Sequence, residues 1–224
     1  MLGLMGPESA DIASQLNADA LNHLSYFQHC STNIQGIPVE AARLSYVGES
    51  GWEITCAASD ANRLYTLFKE AGARPAGIFA QSSMRIEKQF LAYGHDLDAD
   101  ISPMEAGLDF AIDWNSDFIG KAALLEKRDR HPGNQMVSII LDDCDAAPLG
   151  NEPVYHNGEI IGKTTSATFG YRVGKSVAIA QLHLPQPMDQ LSVEIDIARQ
   201  LFSGTISTKP VFDPKGLRMR SRTR

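Results

Sequence analysis

The spacing of apolar residues predicts both helices and strands in the first half of the chain. Ile12 and Leu16 lie on one face of a helix predicted over about 7–16. Apolar residues recur with a helical period between 60 and 72, which predicts a second helix, and a third is predicted over about 79–90. No strand is expected before the first helix.

Two segments between these helices predict a β-hairpin. Residues 39–46 mix apolar and polar positions, residues 52–56 alternate between them, and the glycines in 48–51 predict the turn. In this hairpin Tyr46 is expected to lie across from Glu53, so that a phenol and a carboxylate converge at one end. Helices and strands in this order favour an α+β layer over a doubly wound sheet.

Helical spacing disappears in the second half of the chain, where short strands and turns predict a small antiparallel β-barrel. The Asn157-Gly158 pair supplies the residues that a type I′ hairpin turn requires. The charged stretch 126–133 ends in Pro-Gly and is interpreted as a linker, so that we expect one domain over 1–125 and a second over 134–224. The predicted strands cover 136–141, 154–156, 159–161, 177–184, 191–197 and 201–206.

Composition narrows the class of protein. The chain has 224 residues, 43% hydrophobic and 21% charged, which is typical of soluble globular proteins. No membrane-spanning run and no signal-peptide pattern is recognised, so a cytoplasmic protein without a membrane partner is expected. The 20 basic and 27 acidic residues give a net charge of −7, which argues against nucleic-acid binding. The cysteines and histidines lack metal-ligand spacing, so no metal site is predicted.

The hairpin carries the most distinctive chemistry. The Glu53 carboxylate can accept two parallel hydrogen bonds, which suits a ring with adjacent N–H donors such as an aminopyrimidinone. The ring of Tyr46 can stack on a planar heterocycle. Trp52 is expected either to pack in the core or to stack on a cofactor. From the residues alone, a solvated surface glutamate and a ligand site both remain open for Glu53.

The segment Ser-Tyr-Val-Gly-Glu-Ser-Gly-Trp-Glu-Ile at 45–54 resembles the signature of the glycine-cleavage T-protein (aminomethyltransferase) superfamily. Gly-His-Asp-Leu at 94–97 and Phe-Asp-Pro-Lys-Gly at 212–216 are most similar to one branch, the C-terminal transferase portion of dimethylglycine and sarcosine dehydrogenases. Together the similar blocks cover nearly the whole chain in the family's order. The further blocks lie at 84–88, 103–108, 117–124, 150–154 and 162–166.

This resemblance implies part of a folate-binding α/β domain followed by the β-barrel. It implies that Tyr46 and Glu53 contact tetrahydrofolate, with Glu53 on the pterin edge. Arg85 is expected to be either a further ligand contact or a structural ion pair. Asp96 is expected to cap a turn, with a place in the site as the alternative. The family reaction passes a one-carbon unit from an aminomethyl or iminium group to N5 and N10 of tetrahydrofolate, which yields 5,10-methylenetetrahydrofolate.

Two departures from the family pattern affect these expectations. The family's catalytic Asp belongs to an N-terminal segment that this chain does not contain, so no catalytic residue is predicted. T-proteins carry an Arg where this chain has Gln81 and an Asp where it has Ser82. Because glutamine supplies no guanidinium for the glutamate tail of folate, Gln81 is only a possible contact. The basic C-terminal residues are expected to be solvated, or to attract a polyglutamyl folate or an acidic partner.

Three functions are compatible with this pattern. The first is a folate-dependent one-carbon transferase, or its C-terminal portion, completed by an N-terminal partner subunit or by self-association. The second is a non-catalytic folate-binding or scaffold protein that has lost the chemistry. The third is the superfamily's folate-binding regulator of iron–sulfur maintenance, whose Lys-Gly-Cys-Tyr-x-Gly-Gln-Glu marker does not occur in the sequence.

Overall fold

The computed structural model describes residues 1–128, 133–184 and 188–221. Its helices and strands confirm the predicted α+β class with an antiparallel barrel. The strands are β1 (Leu2–Met5), β2 (His29–Ile34), β3 (Ile37–Ala42), β4 (Gly51–Thr55), β5 (Asn134–Leu141), β6 (Pro153–His156), β7 (Glu159–Gly170), β8 (Lys175–His183), β9 (Ser192–Ile197) and β10 (Gln200–Ser207). The helices are α1 (Ser9–Gln15), α2 (Asp19–Asn22), α3 (Ala61–Glu70), α4 (Ile78–Glu87), α5 (Lys121–Arg128) and α6 (Leu217–Arg220).

The chain divides into two compact units. The first comprises Met1–Gln81 with Lys215–Arg224, and the second comprises Ser82–Pro214. Of the predicted linker 126–133, residues 129–132 lie outside the described part of the chain, and the predicted domain limits stay a prediction. In the described ranges, no helix combines the length and the apolar character that a membrane span needs.

The first unit contains a four-stranded antiparallel sheet with the order β1-β4-β3-β2. The expectation of no strand before the first helix is wrong, because β1 pairs with β4 from Leu2 to Met5. β2 is also absent from the sequence prediction. A glycine in β1 and the polar run His-Cys-Ser-Thr-Asn in β2 give no strand signal, so pairing within the sheet, rather than local propensity, creates both strands.

The predicted hairpin is formed by β3 and β4, but with a different register. Ala42 pairs with Glu53, so the prediction that Tyr46 lies opposite Glu53 is wrong. Tyr46 lies in the connecting loop 43–50. In this loop the hydroxyl of Ser45 accepts hydrogen bonds from two backbone N–H groups, so that side-chain bonding replaces the strand ladder beyond Ala42.

One face of this sheet is buried and the other is not. Trp52 and Ile54 of β4 are fully buried in a core that also contains Ala13 of α1 and Leu64 of α3. Because side chains alternate along a strand, Glu53 points to the opposite face, where it is partly exposed. The burial of Trp52 and Ile54 therefore determines the face to which Glu53 points.

The second unit contains a closed antiparallel barrel with the strand order β10-β5-β8-β7-β6-β9. Asn157 and Gly158 have φ values of 52° and 81°, as the predicted type I′ turn requires. β7 continues to Gly170, well beyond its predicted end, and a register shift between Thr164 and Ser166 interrupts its pairing with β8. Apolar side chains from the barrel strands form its core, including Val137, Ile139, Val154, Ala180, Leu182, Ile195 and Ile206.

Candidate functional site around Glu53

The residues paired with Glu53 in the sheet are small. Glu53 pairs with Gly3 of β1 on one side and with Ala42 of β3 on the other. Glycine and alanine leave the carboxylate accessible across both neighbouring strands. A planar group can therefore lie against the backbone beside the Glu53 carboxylate.

The close approach of β1 depends on Gly51, at the start of β4. A Cβ atom at this position would lie 2.3 Å from the carbonyl oxygen of Leu4 and 2.6 Å from the Cα atom of Met5. Any other residue would push β1 away from β4. Glycine at position 51 thus permits the pairing that places Gly3 beside Glu53.

Glu53 lines a cavity of about 200 Å³. Typical ligand sites measure about 300–1,000 Å³, so this cavity accommodates one ring system rather than a complete folate. Glu40 and Glu53 supply two carboxylates, which only accept hydrogen bonds when they are ionised. The cavity therefore suits a ligand edge that is rich in N–H donors. Its lining residues are Met1, His29, Glu40, Ala41, Ala42, Glu53 and Thr55.

Tyr26 is the tyrosine whose pKa is affected by the charge of Glu53. Burial raises the pKa of Tyr26, the Arg220 charge lowers it, and the Glu53 charge raises it again. The Tyr26 hydroxyl lies 3.9 Å from the sulfur of Met219 in α6. Sequence reasoning missed Tyr26, because only the chain topology brings residue 26 close to residue 53. The adjacent aromatic residue, Phe27, was the sequence feature that could have drawn attention to Tyr26.

Arg43 is a second residue that the sequence analysis missed. Its side chain is buried and donates hydrogen bonds to the carbonyl oxygens of Leu24 (3.3 Å) and Ser221 (2.6 Å). The guanidinium also lies 5.6 Å from the ring centre of Trp52. Arg43 therefore ties the end of β3 to the C-terminal segment of the same unit. An arginine inside an otherwise uncharged stretch, Ala-Ala-Arg-Leu-Ser, was the signal for such a role.

Trp52 has no surface on which a ligand could stack. It is 0% exposed, and its indole N–H donates to the carbonyl oxygen of Leu21 at 3.0 Å. This placement corresponds to the core-packing interpretation. Trp52 supports the site from below, because it fixes the buried face of the strand that presents Glu53.

Arg85 and Asp96 form a buried ion pair in the second unit. A guanidinium nitrogen of Arg85 lies 2.5 Å from the Asp96 carboxylate, and another donates to the hydroxyl of Ser166 at 2.8 Å. Asp96 also accepts from the hydroxyl of Thr165 (2.5 Å) and from the N–H of Ala92 (2.9 Å). This geometry is that of a structural ion pair, and Asp96 in addition binds the backbone of its own turn.

None of the contacts described above connects the other predicted residues, Tyr46 and Gln81, with Glu53. Tyr46 is half-buried in the loop between β3 and β4. Gln81 is half-buried in α4, and its backbone N–H donates to Gly77 at 3.2 Å. Within the described ranges, no group of three or more His, Cys, Asp or Glu side chains is arranged to hold a metal ion.

Comparison with known proteins assigns the family. The GCVT N-terminal domain matches residues 1–116, and the glycine cleavage T-protein C-terminal barrel domain matches residues 134–213. The dimethylglycine dehydrogenase of Homo sapiens is 32% identical over 221 residues, which cover 94% of this chain and 25% of the enzyme. An aminomethyltransferase of Synechococcus sp. (strain CC9311) is 33% identical over 218 residues, which cover 95% of this chain and 58% of that protein.

A solved structure shows the same fold. The glycine cleavage system aminomethyltransferase T from Bartonella henselae superimposes with a TM-score of 0.85 at 22% identity, covering 93% of this chain and 58% of that one. The family models match residues 1–116 and 134–213, so the chain belongs to the glycine cleavage T-protein family. It spans a quarter of the human dehydrogenase and 58% of the Synechococcus aminomethyltransferase.

Proposed function

We propose that this chain binds a reduced folate at Glu53 and serves in the transfer of a one-carbon unit to tetrahydrofolate. It would do so as part of an aminomethyltransferase or of a dimethylglycine or sarcosine dehydrogenase. Glu53 accepts the adjacent N–H donors of the pterin edge. Tyr46 stays a predicted contact, assigned by resemblance. The resemblance also suggested Arg85 as a contact, but its guanidinium is engaged by Asp96 and Ser166, so the proposal does not depend on it. Bound tetrahydrofolate supplies the N5 and N10 atoms that take up the one-carbon unit.

The observation that carries this proposal is the setting of Glu53. Glu53 lines a cavity that fits one ring system, and the residues paired with it on the two neighbouring strands are Gly3 and Ala42. Hydrogen bonds to a charged acceptor contribute about 1.5–3 kcal/mol each. A paired interaction with two N–H groups is therefore strong enough to orient the pterin.

The cavity is too small for the remainder of a folate and for an amine donor. We propose that a partner completes the site, either a separate N-terminal subunit or a second copy of this chain. This matches the longer length of the relatives. The partner would also supply the acid that the family uses in proton transfer. A cytoplasmic location stays a prediction, and the human relative is a mitochondrial protein.

Calorimetric titration with tetrahydrofolate under anaerobic conditions tests the role of Glu53. The Glu53→Gln variant keeps the size of the side chain but loses its charge and one acceptor, so we expect affinity to fall at least about tenfold. Glu70→Gln is the matched control, because Glu70 is an exposed glutamate at the end of α3. Equal affinity in the wild type and Glu53→Gln would refute the proposed role of this carboxylate.

A non-catalytic folate-binding or scaffold protein is the second candidate. Gln81 favours it, because glutamine replaces the arginine that T-proteins carry at this place. The two candidates differ in one measurement. Formation of 5,10-methylenetetrahydrofolate from an aminomethyl or N-methyl donor, with the N-terminal partner present, supports the transferase. Binding without turnover under the same conditions supports the scaffold.

A further inference from the structure

Glu40 is a second acidic residue on the same face of the sheet as Glu53. Val39 and Ala41, its neighbours in β3, are buried in the core, so alternation places Glu40 on the opposite face. Glu53 lies on that face too, because both of its neighbours in β4 are buried. The two glutamates line the same cavity of about 200 Å³.

The strand register places these two glutamates in diagonal positions. Glu53 pairs with Ala42, and Glu40, two residues earlier in β3, pairs with Thr55. Diagonal residues on one face of an antiparallel pair lie about 7–8 Å apart, which is within reach of long side chains. The two carboxylates can therefore contact the same small group in the cavity.

Neither carboxylate is engaged by the protein itself. In the part of the chain that the structure describes, no hydrogen bond or ion pair involves the side chain of Glu40 or Glu53. Glu105 of the second unit is partly exposed like Glu53, yet it accepts hydrogen bonds from Ser102 and Asn134. Glu40 and Glu53 thus keep their full capacity to accept hydrogen bonds from a ligand.

An aminopyrimidinone has more N–H groups than one carboxylate accepts in a paired contact. Its ring N–H and one N–H of the exocyclic amine are parallel, and they form the pair proposed for Glu53. The other N–H of this planar amine points about 120° away, so two acceptor oxygens that each lie about 2.9 Å from the nitrogen are about 5 Å apart. Diagonal glutamates on a sheet can supply two oxygens at this separation.

We propose that Glu40 is a second ligand-binding residue of the Glu53 site, and that its carboxylate accepts the N–H of the exocyclic amine that Glu53 leaves free. This inference rests on the proposed function and deepens it, because it defines the ligand as a planar heterocycle with an unsubstituted exocyclic amine. The pterin of a reduced folate carries such an amine. Glu40 thereby selects against heterocycles in which this amine is alkylated.

Calorimetric titration with two ligands tests this contact. One is tetrahydrofolate, and the other is its 2-methylamino analogue, in which a methyl group replaces one N–H of the amine and the other N–H remains for Glu53. The wild type is expected to bind the analogue about tenfold more weakly, since a hydrogen bond to a charged acceptor is lost. Glu40→Leu lacks this acceptor, so we expect it to bind tetrahydrofolate about tenfold more weakly than the wild type and both ligands with similar affinity.

Two further variants separate this contact from other effects. Glu40→Gln loses the charge but keeps an acceptor oxygen, so its affinity for tetrahydrofolate is expected to lie between those of the wild type and Glu40→Leu. Glu70→Leu removes the same charge from an exposed position of α3 in the same unit, and it is expected to bind like the wild type. Equal weakening of both ligands in Glu40→Leu would overturn the inference, because Glu40 would then not act on the amine.

The inference and the proposed function fail differently in this experiment. If the wild type binds and Glu53→Gln binds more weakly, while Glu40→Leu matches Glu70→Leu with both ligands, the role of Glu40 is overturned and the proposed function stands. If the wild type itself does not bind tetrahydrofolate, with or without a candidate partner, both are overturned.

Discussion

Each of the two units contains a carboxylate from the family-like motifs, and the two carboxylates have opposite surroundings. In the second unit, Asp96 is 1% exposed and accepts hydrogen bonds from Arg85, Thr165 and Ala92. In the first unit, Glu53 is partly exposed and borders a cavity next to glycine and alanine. Both carboxylates occur in motifs that resemble the same family, so motif membership alone does not separate structural from ligand-binding roles.

This difference shows how to separate structural residues from ligand-binding candidates among the residues that a family resemblance suggests. A carboxylate whose lone pairs are taken up by internal donors stabilises the fold, and it has little capacity left for a ligand. A carboxylate on a partly exposed face of a sheet adds little to stability, because it stays solvated. Substitution of Asp96 is therefore expected to affect unfolding, and substitution of Glu53 to affect binding.

Replacement of Asp96 is expected to have the largest effect on stability. Asp96→Ala leaves the Arg85 guanidinium buried without its carboxylate, and breaking such a pair costs about 3–5 kcal/mol. Chemical unfolding followed by circular dichroism measures this change. Asp100→Ala is the control, because Asp100 is an exposed aspartate of the same acidic stretch and a change within about 0.5 kcal/mol is expected. A loss below about 1 kcal/mol in Asp96→Ala would contradict the structural assignment.

Two glycine substitutions separate strand pairing from ligand access in the first unit. Gly51→Ala is expected to destabilise the protein by about 1–3 kcal/mol, because the new methyl group meets the backbone of β1. Gly3→Ala brings a Cβ only into ordinary contact with the Met5 side chain, 3.5 Å away, so stability is expected to change by no more than about 0.5 kcal/mol.

Folate titration of the same two variants completes the test. Gly3→Ala places a methyl group at the β1 position that pairs with Glu53, so it is expected to weaken binding while the unfolding curve stays unchanged. Unchanged affinity in Gly3→Ala would show that the ligand does not use the bare strand next to Glu53. Gly51→Ala is expected to weaken binding together with stability, because β1 pairs with the strand that presents Glu53.

The fold was largely predictable from the sequence where local patterns agree with tertiary structure. The helix over 61–70 has a regular apolar period, and the turn at Asn157-Gly158 has residues that tolerate positive φ. β1 and β2 were not predictable. Neither has alternating apolar residues, and each exists because a neighbouring strand pairs with it. The sequence contains no local record of such pairing.

The candidate site was predictable only in part, for the same reason. Glu53 follows from its own motif, and alternation in β4 places it opposite Trp52. The neighbouring phenol does not follow, because register decides it. Expecting the strand to continue to Tyr46 produced the wrong partner, while Tyr26 approaches from a turn before β2. A motif thus identifies a candidate site residue more readily than it identifies the residues around it.

Titration of Tyr26 provides the finest test of this geometry. Burial and the Glu53 charge raise its pKa above 10.0, against the opposing effect of Arg220. Because the folded-state pKa is raised, the neutral phenol stabilises the fold fully below pH 10.0, and this contribution is lost as the pH rises through the folded-state pKa. Phenolate absorbance, taken as the difference between the wild type and Tyr26→Phe, isolates this group among the six tyrosines.

Two charge substitutions test the direction in which each charge shifts the pKa of Tyr26. Glu53→Gln removes a negative charge and is expected to lower the pKa of Tyr26, whereas Arg220→Ala removes a positive charge and is expected to raise it. Both shifts should shrink at high salt, since Arg220 is exposed and its interaction is screened. An unchanged Tyr26 titration in Glu53→Gln would mean that the charge of Glu53 does not reach the phenol.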